Sequence, residues 1–359
     1  MKIVTRYIMK EIMGPLLFGF LAFTSIFSGV TFLNLLRDAE RYQFTIWFII
    51  KLLILRMPEF MLQAAPVAVL LGALLGLGNL TSHSETIAMR AGGLSYKRLA
   101  IPVVIIGFIV MMIGIGFNEF VIPNARRSYD DMKHNVSQEA DQTIWHFSKE
   151  FFKKDDLERT LYAQRYDLKS KTLFQVNIQE FTDGKLARTV EASKMYWKDQ
   201  NWFFDEGRIY EFFPDNFYPI EVKRGRVKYD LQLTPTQIEQ MKEDPENKSI
   251  TELGKLIKFL PKESNELPSL WVTYHQMFAI PTASLVLALL GAPLALRPQR
   301  RSNAAGFGLC IIFIIVWYVL MGIGAYVGNK GIVSPLIGAW LPNIVLTGYG
   351  VFVYRNIKS

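Results

Sequence analysis

The sequence predicts a polytopic α-helical membrane protein of six spans with an inserted all-β, sandwich or jelly-roll-like domain. Three observations predict it. Apolar segments long enough to cross a bilayer come in two groups of three. A long polar stretch, residues 123–268, separates the groups. Basic residues collect in alternate loops. A spanning helix needs about 20 mostly apolar residues. Segments 12–35, 60–80, 99–122, 272–296, 304–327 and 333–354 meet that requirement.

The first segment follows Lys2, Arg6 and Lys10. No small-residue cleavage pattern comes after it, so it reads as a retained helix rather than a signal peptide. The second apolar region, 44–80, is too long for one simple span. Lys51, Arg56 and Glu59 sit in its first half, and charge is costly in hydrocarbon. That half is expected at the outer interface or against protein, with kinks at Pro58 and Pro66. Gly72 and Gly76, and again Gly324 and Gly328, have the four-residue spacing that lets helices approach closely, within the chain or against a partner.

Composition fits this class. The chain has 359 residues, 50% of them hydrophobic, and a mean hydropathy of +0.18. A net charge of +8 invites a nucleic-acid reading, but its distribution argues against one. Lys2, Arg6 and Lys10 precede span one, and Arg90, Lys97 and Arg98 separate spans two and three. Arg297, Arg300 and Arg301 separate spans four and five, and Arg355 and Lys358 follow span six. These loops share one side of the membrane, which the positive-inside rule makes cytoplasmic. Both termini are then inside and residues 123–268 outside. Cys310, the single cysteine, lies mid-span and excludes an intramolecular disulfide.

The outer region reads as β. Phe174, Val176 and Ile178 alternate with Gln175, Asn177 and Gln179, the period of a strand with one buried face. Strands are expected over 144–152, 160–166, 172–181, 187–197, 202–212 and 220–231. Turns are expected at Asp183-Gly184 and at residues 199–201. A helix follows at about 250–260, opened by Ser249 with Glu252 three residues on, a capping box. Residues 1–122 therefore carry three spans, 123–268 the β domain with its helix, and 269–359 the last three spans.

The usual signatures of catalysis do not occur. No glycine-rich phosphate loop precedes Lys-Ser or Lys-Thr, and no serine occupies a G-x-S-x-G turn. His83, His134, His146 and His275 lack metal-ligand spacing. The chain is read as a non-enzyme with no cofactor. The loop between spans two and three is more informative. Ser84 can cap a short helix at about 84–93, Glu85 suits its first turn, and Gly92-Gly93 can end it. Ile87, Ala88 and Met89 supply apolar contact. Such a helix is either a lever for a soluble partner or an interfacial helix lying on lipid.

At this loop the sequence resembles a known family. Residues 65–78, followed by Ser84-Glu85 and by residues 89–95, are similar to the LptF/LptG permeases, also called YjgP/YjgQ. The last span, with residues 335–342, resembles the family too. The similarity covers essentially the whole chain and leans towards the LptG type. It implies a permease subunit of an ABC transporter that extracts lipopolysaccharide from the inner membrane of diderm bacteria. It implies as partners an LptB-type ATPase, a second LptF/LptG-type subunit and LptC/LptA-type periplasmic proteins. The β domain would then be a periplasmic jelly roll. Glu85 matches the family's coupling glutamate, and Ser84, Met89 and Arg90 share its motif. LptG-type members often carry a lysine late in span one that faces lipid phosphates. Thr31 stands there in this chain, which leaves Arg37, Arg41 and Lys51 as the nearest cations.

Energetics suit such a machine. Each acyl CH₂ moved into water costs about 0.8 kcal/mol, so a lipid needs a protected apolar path. Phe174, Val176 and Ile178 are candidates for a lipid slide, or for ordinary domain core. Two other classes compete: a non-transporting membrane scaffold whose β domain docks envelope partners, and a lipid-modifying membrane enzyme, which needs clustered acid–base groups at one depth.

Overall fold

The computed structural model describes residues 2–42, 44–140, 147–154, 157–167, 170–182, 185–212, 220–229, 231, 234–235, 245–260, 266–296 and 303–355. The chain divides into two compact units. One comprises residues 1–136 and 271–359, the other residues 137–270.

The first unit contains the six apolar helices expected from hydropathy. Helix α1 (Lys2–Tyr42) has 41 residues, about 60 Å at 1.5 Å per residue, twice the thickness of a hydrocarbon core. Helix α2 (Ile46–Ser82) runs antiparallel to it through a π-turn at Ala73–Leu77. A short helix, α3 (Glu85–Ala91), and a long one, α4 (residues 96–140), follow. Helix α4 contains a second π-turn at Phe117–Val121. Helices α6 (Leu267–Ala295), α7 (Asn303–Asn329) and α8 (Pro335–Arg355) complete the unit.

Glycines set the helix spacing. A Cβ on Gly76 would lie 2.7 Å from the Ile12 Cα, and one on Gly72 2.9 Å from the Leu16 Cβ. Gly324 packs on the Gly338 backbone with as little room, and a Cβ on Gly328 would lie 2.8 Å from a Val272 methyl. Both glycine pairs therefore serve packing within the chain, the first between α1 and α2 and the second between α7 and its neighbours α8 and α6. Beyond the main core, Leu35, Ile49, Leu52 and Tyr129 form a smaller cluster where α1, α2 and α4 run on together.

Prolines inside spans free carbonyls, which hydrocarbon cannot satisfy. Pro281 in α6 has no N–H for the Met277 carbonyl four residues earlier. Asn118, set in the π-turn of α4, donates to that carbonyl at 2.6 Å. Asn343 of α8 donates to a second carbonyl of α6, that of Ala279, at 2.7 Å. Replacing Asn118 with leucine keeps the bulk but orphans the Met277 carbonyl. A loss of about 1–3 kcal/mol is expected, read as a lower unfolding midpoint in mixed micelles.

The second unit is a six-stranded antiparallel sheet: β1 (Phe147–Lys154), β2 (Leu157–Asp167), β3 (Thr172–Thr182), β4 (Lys185–Lys198), β5 (Asn201–Glu211) and β6 (Ile220–Tyr229). The strands lie in sequence order, an up-and-down meander. The expected β domain is present. The crossovers that define a jelly roll do not occur among the described strands, because each strand pairs with the next in sequence. The turn expected at Asp183-Gly184 lies outside the described residues. Asp199 and Gln200 form the β4–β5 turn, both with left-handed φ (49° and 59°), whose twist suits a two-residue hairpin. Helix α5 (Ile250–Phe259) starts at the expected capping box: the Ser249 hydroxyl accepts from the Glu252 N–H, and the Glu252 carboxylate accepts from the Ser249 N–H.

One face of the sheet buries Leu161, Ala163, Val176, Ile178, Val190, Ala192 and Phe204. Glu180, 4% exposed, lies among them. Its carboxylate meets Arg159 at 2.8 Å and Arg188 at 3.5 Å, and accepts from the Tyr229 hydroxyl at 2.6 Å. Burial, and next the adjacent Glu180, push the Tyr229 phenol well above its ordinary range, so it remains a neutral donor. The cluster ties β2, β3, β4 and β6 into one register, since a one-residue slip would strand a buried charge.

Candidate functional site

The element between the second and third spans is a helix of seven residues held at an elbow. Helix α2 ends at Ser82, and α3 begins at Glu85. Ser84, expected as an N-cap, makes no capping hydrogen bond. Its backbone is left-handed (φ 62°), whereas a capping side chain requires extended backbone. Ser84 instead turns the chain, with its N–H on the Thr81 carbonyl and its own carbonyl accepting from Ile87 and Ala88. The other end follows expectation. Gly93 (φ 89°) donates to the Arg90 carbonyl and Leu94 to the Met89 carbonyl, the paired bonds that close a helix at a left-handed glycine.

The four residues expected at this site do not share one face. Met89 points inward and packs on the spans with Leu94. Arg90 is exposed but engaged. Its guanidinium lies 3.8 Å from the centre of the Tyr96 ring and donates to the Tyr96 hydroxyl at 2.6 Å. Glu85 is half-exposed, and its Oε2 accepts from the Tyr7 hydroxyl at 2.8 Å. No cation pairs with Glu85 among the described residues. Ile87, 54% exposed, stands out beside it as an apolar knob. Tyr7, Tyr96 and Ile87 complete a site that sequence reasoning gave only in part. Ile87 was expected only as one of three residues, with Ala88 and Met89, that supply apolar contact. Tyr7 is 78 positions away and carried no signal.

At the far end of the same unit, α1, α2 and α4 extend together. Asp38 is neutralised by Lys133 at 2.7 Å. Arg37, next to it, is exposed, as is Lys51 on α2. Both lie seven positions from Phe44 at the hairpin between the two helices, which puts them at about the same height in antiparallel helices. Arg41 lies one turn nearer the hairpin, and its side chain is outside the described residues. Arg56 and Glu59 are not free. Glu59 meets Arg56 at 3.1 Å and Arg126 of α4 at 2.8 Å, which places these charges against protein as expected.

In the β unit, Val176 and Ile178 share the buried apolar face. Phe174 does not join them. Gln175 takes a left-handed φ of 50°, which breaks the alternation and turns Leu173 inward instead. Phe174 is half-buried, with the Lys194 ammonium 5.7 Å from its ring centre. The opposite face carries an open concavity of about 800 Å³, lined by polar residues such as Tyr162, Asn177, Gln179 and Arg208.

Comparison with known proteins agrees with this layout. The family model described as lipopolysaccharide export system permease LptF/LptG matches residues 6–356. The chain is similar to the lipopolysaccharide export system permease protein LptG of Haemophilus influenzae, with 22% identity over 95% of this chain and 94% of that protein. It is similar to the protein of the same name from Escherichia coli strain K12, with 21% identity over the same shares. The family match runs through both groups of spans and the β domain between them, and by it the chain belongs to the LptF/LptG family.

Proposed function

We propose that this chain is the permease subunit of an ABC transporter that lifts lipopolysaccharide from the inner membrane of a diderm bacterium. An LptB-type ATPase binds the cytoplasmic α3, a second LptF/LptG-type subunit completes the membrane assembly, and LptC/LptA-type proteins receive lipid from the β domain in the periplasm. The observation that carries this reading is Glu85. It is a carboxylate with no paired cation among the described residues, on a short helix wedged between two spans, where a soluble partner can push. A helix merely resting on lipid would set no anion beside its apolar knob Ile87, since bilayer surfaces favour basic ones.

The lipid path follows from the same frame. A core of about 20 residues counted from Ile12 ends near Phe32, so Arg37 sits roughly 7 Å beyond the hydrocarbon, at headgroup level. Arginine holds phosphate bidentately, and Asp38, which would compete, is already paired with Lys133. Arg37, Arg41 and Lys51 thus meet the headgroup. Val176 and Ile178 are packed inside the β domain, 3% and 0% exposed, which is the core role, so acyl chains would reach that face only at its margin, where Phe174 is half-buried. Replacing Arg37 and Arg41 together with alanine is expected to lower lipopolysaccharide photocrosslinking to α1 several-fold while ATPase assembly is unchanged. Equal crosslinking in a folded variant would assign the arginines to anchoring.

The function itself is tested by reconstitution. Proteoliposomes holding this chain, its second subunit and the ATPase, with lipopolysaccharide inside the bilayer, should release lipid to a soluble LptA-type acceptor only with ATP. Full assembly with the ATPase but no ATP-dependent release would favour the scaffold reading.

A further inference from the structure

We infer that Tyr7 is the positioning residue for Glu85, and that the start of α1 and the coupling helix α3 move as one body. This rests on the reading of Glu85 as the ATPase contact. The Tyr7 hydroxyl donates to the Glu85 Oε2 at 2.8 Å. One turn further along α1, the Glu11 Oε1 accepts from the Asn79 Nδ2 at 2.6 Å. Residues 7 and 11 lie on the same side of α1. Asn79 and Glu85 lie on either side of the Ser84 elbow. Beside the two polar ties, Ile8 and Ile12 are sunk into the core with Leu74 and Leu77, and Gly76 is pressed onto the Ile12 backbone. The first three turns of α1 are thereby bound to the elbow by two hydrogen bonds and an apolar seam.

Two consequences follow from the chemistry of the tie. A phenol is a neutral donor, so it fixes the rotamer of the carboxylate without cancelling its charge. An arginine or lysine in the same place would present the partner with a neutralised pair. The second oxygen, Oε1, has no partner among the described residues and is open to a cation on the ATPase. A displacement of α3 also reaches the first span directly, without first passing along α2 or α4.

A double-mutant cycle tests this. The full-length chain, in lipid nanodiscs with its second subunit, is titrated with the ATPase as wild type, Tyr7→Phe, Glu85→Ala and the double variant. Tyr7→Phe removes only the donor and keeps the ring. It is expected to weaken ATPase binding about two- to tenfold at unchanged thermal stability, the range of a single hydrogen bond. In the Glu85→Ala background it should have no further effect. Tyr7→Phe with wild-type affinity beside a defective Glu85→Ala overturns the role of Tyr7 and leaves the function intact. An equal loss in both backgrounds also overturns it, since the effect would then bypass Glu85. Normal binding by Glu85→Ala overturns the reading of Glu85 itself, and the inference with it.

Discussion

Gly76→Val is expected to separate α1 from α2 and to cost the chain its folded membrane unit. The added Cβ would sit 2.7 Å from the Ile12 Cα and 3.1 Å from the Glu11 carbonyl oxygen. These are backbone atoms, which cannot rotate away as a side chain can. Overpacking usually costs about 1–3 kcal/mol, and a clash with a helix backbone stands at or above the top of that range. The damage should spread, because Glu11 and Ile12 also hold the elbow through Asn79 and the apolar seam. Gly78 supplies the control. It lies half a turn further along the same helix, and a Cβ there meets nothing within 4 Å. Gly78→Ala should express and unfold like wild type, while Gly76→Val should give little monodisperse protein and a much lower midpoint. Equal behaviour of the two would show that the helix crossing is looser than described.

The second large effect is expected at Glu85. Glu85→Lys should leave the fold intact, since the Tyr7 hydroxyl is the partner described for the Glu85 side chain. It should abolish assembly with the ATPase. Truncating one member of a buried interfacial charge pair costs about 2–5 kcal/mol, and reversing its sign adds repulsion, so a loss of at least about 30-fold in affinity is expected. Co-purification and permease-stimulated ATPase activity measure it. Glu85→Gln separates the causes. It retains an acceptor for Tyr7 but no charge, and should fall between wild type and Glu85→Lys. Normal assembly and transport by Glu85→Lys would contradict the coupling role.

The sequence by itself determined the architecture. Hydropathy summed over a span is a local property, and each of the six helices contains its expected apolar segment almost entire. The β strands were legible for the same reason, through alternation and turn residues, and the strand ends bounded by described residues, the start of β3, the end of β4 and both ends of β5, lie within one residue of those expected. So was the start of α5, because Ser249 and Glu252 complete their capping box within one turn. The motif around Glu85 carried the family and hence the function proposed. What only the tertiary structure decided was who meets whom. The side of each glycine pair that faces a neighbour depends on how helices cross. The neutralisation of Asp38 by Lys133 joins positions far apart in the chain, as does the hold of Tyr7 on Glu85. Two local expectations also gave way to their surroundings. Gln175 adopts a left-handed φ that moves Phe174 off the buried face, and Ser84 gives up its cap to turn the elbow. Periodicity reports which face of an element is apolar. The partners of a side chain, and the occasional left-handed residue, are set by packing energies between elements, which no local window contains.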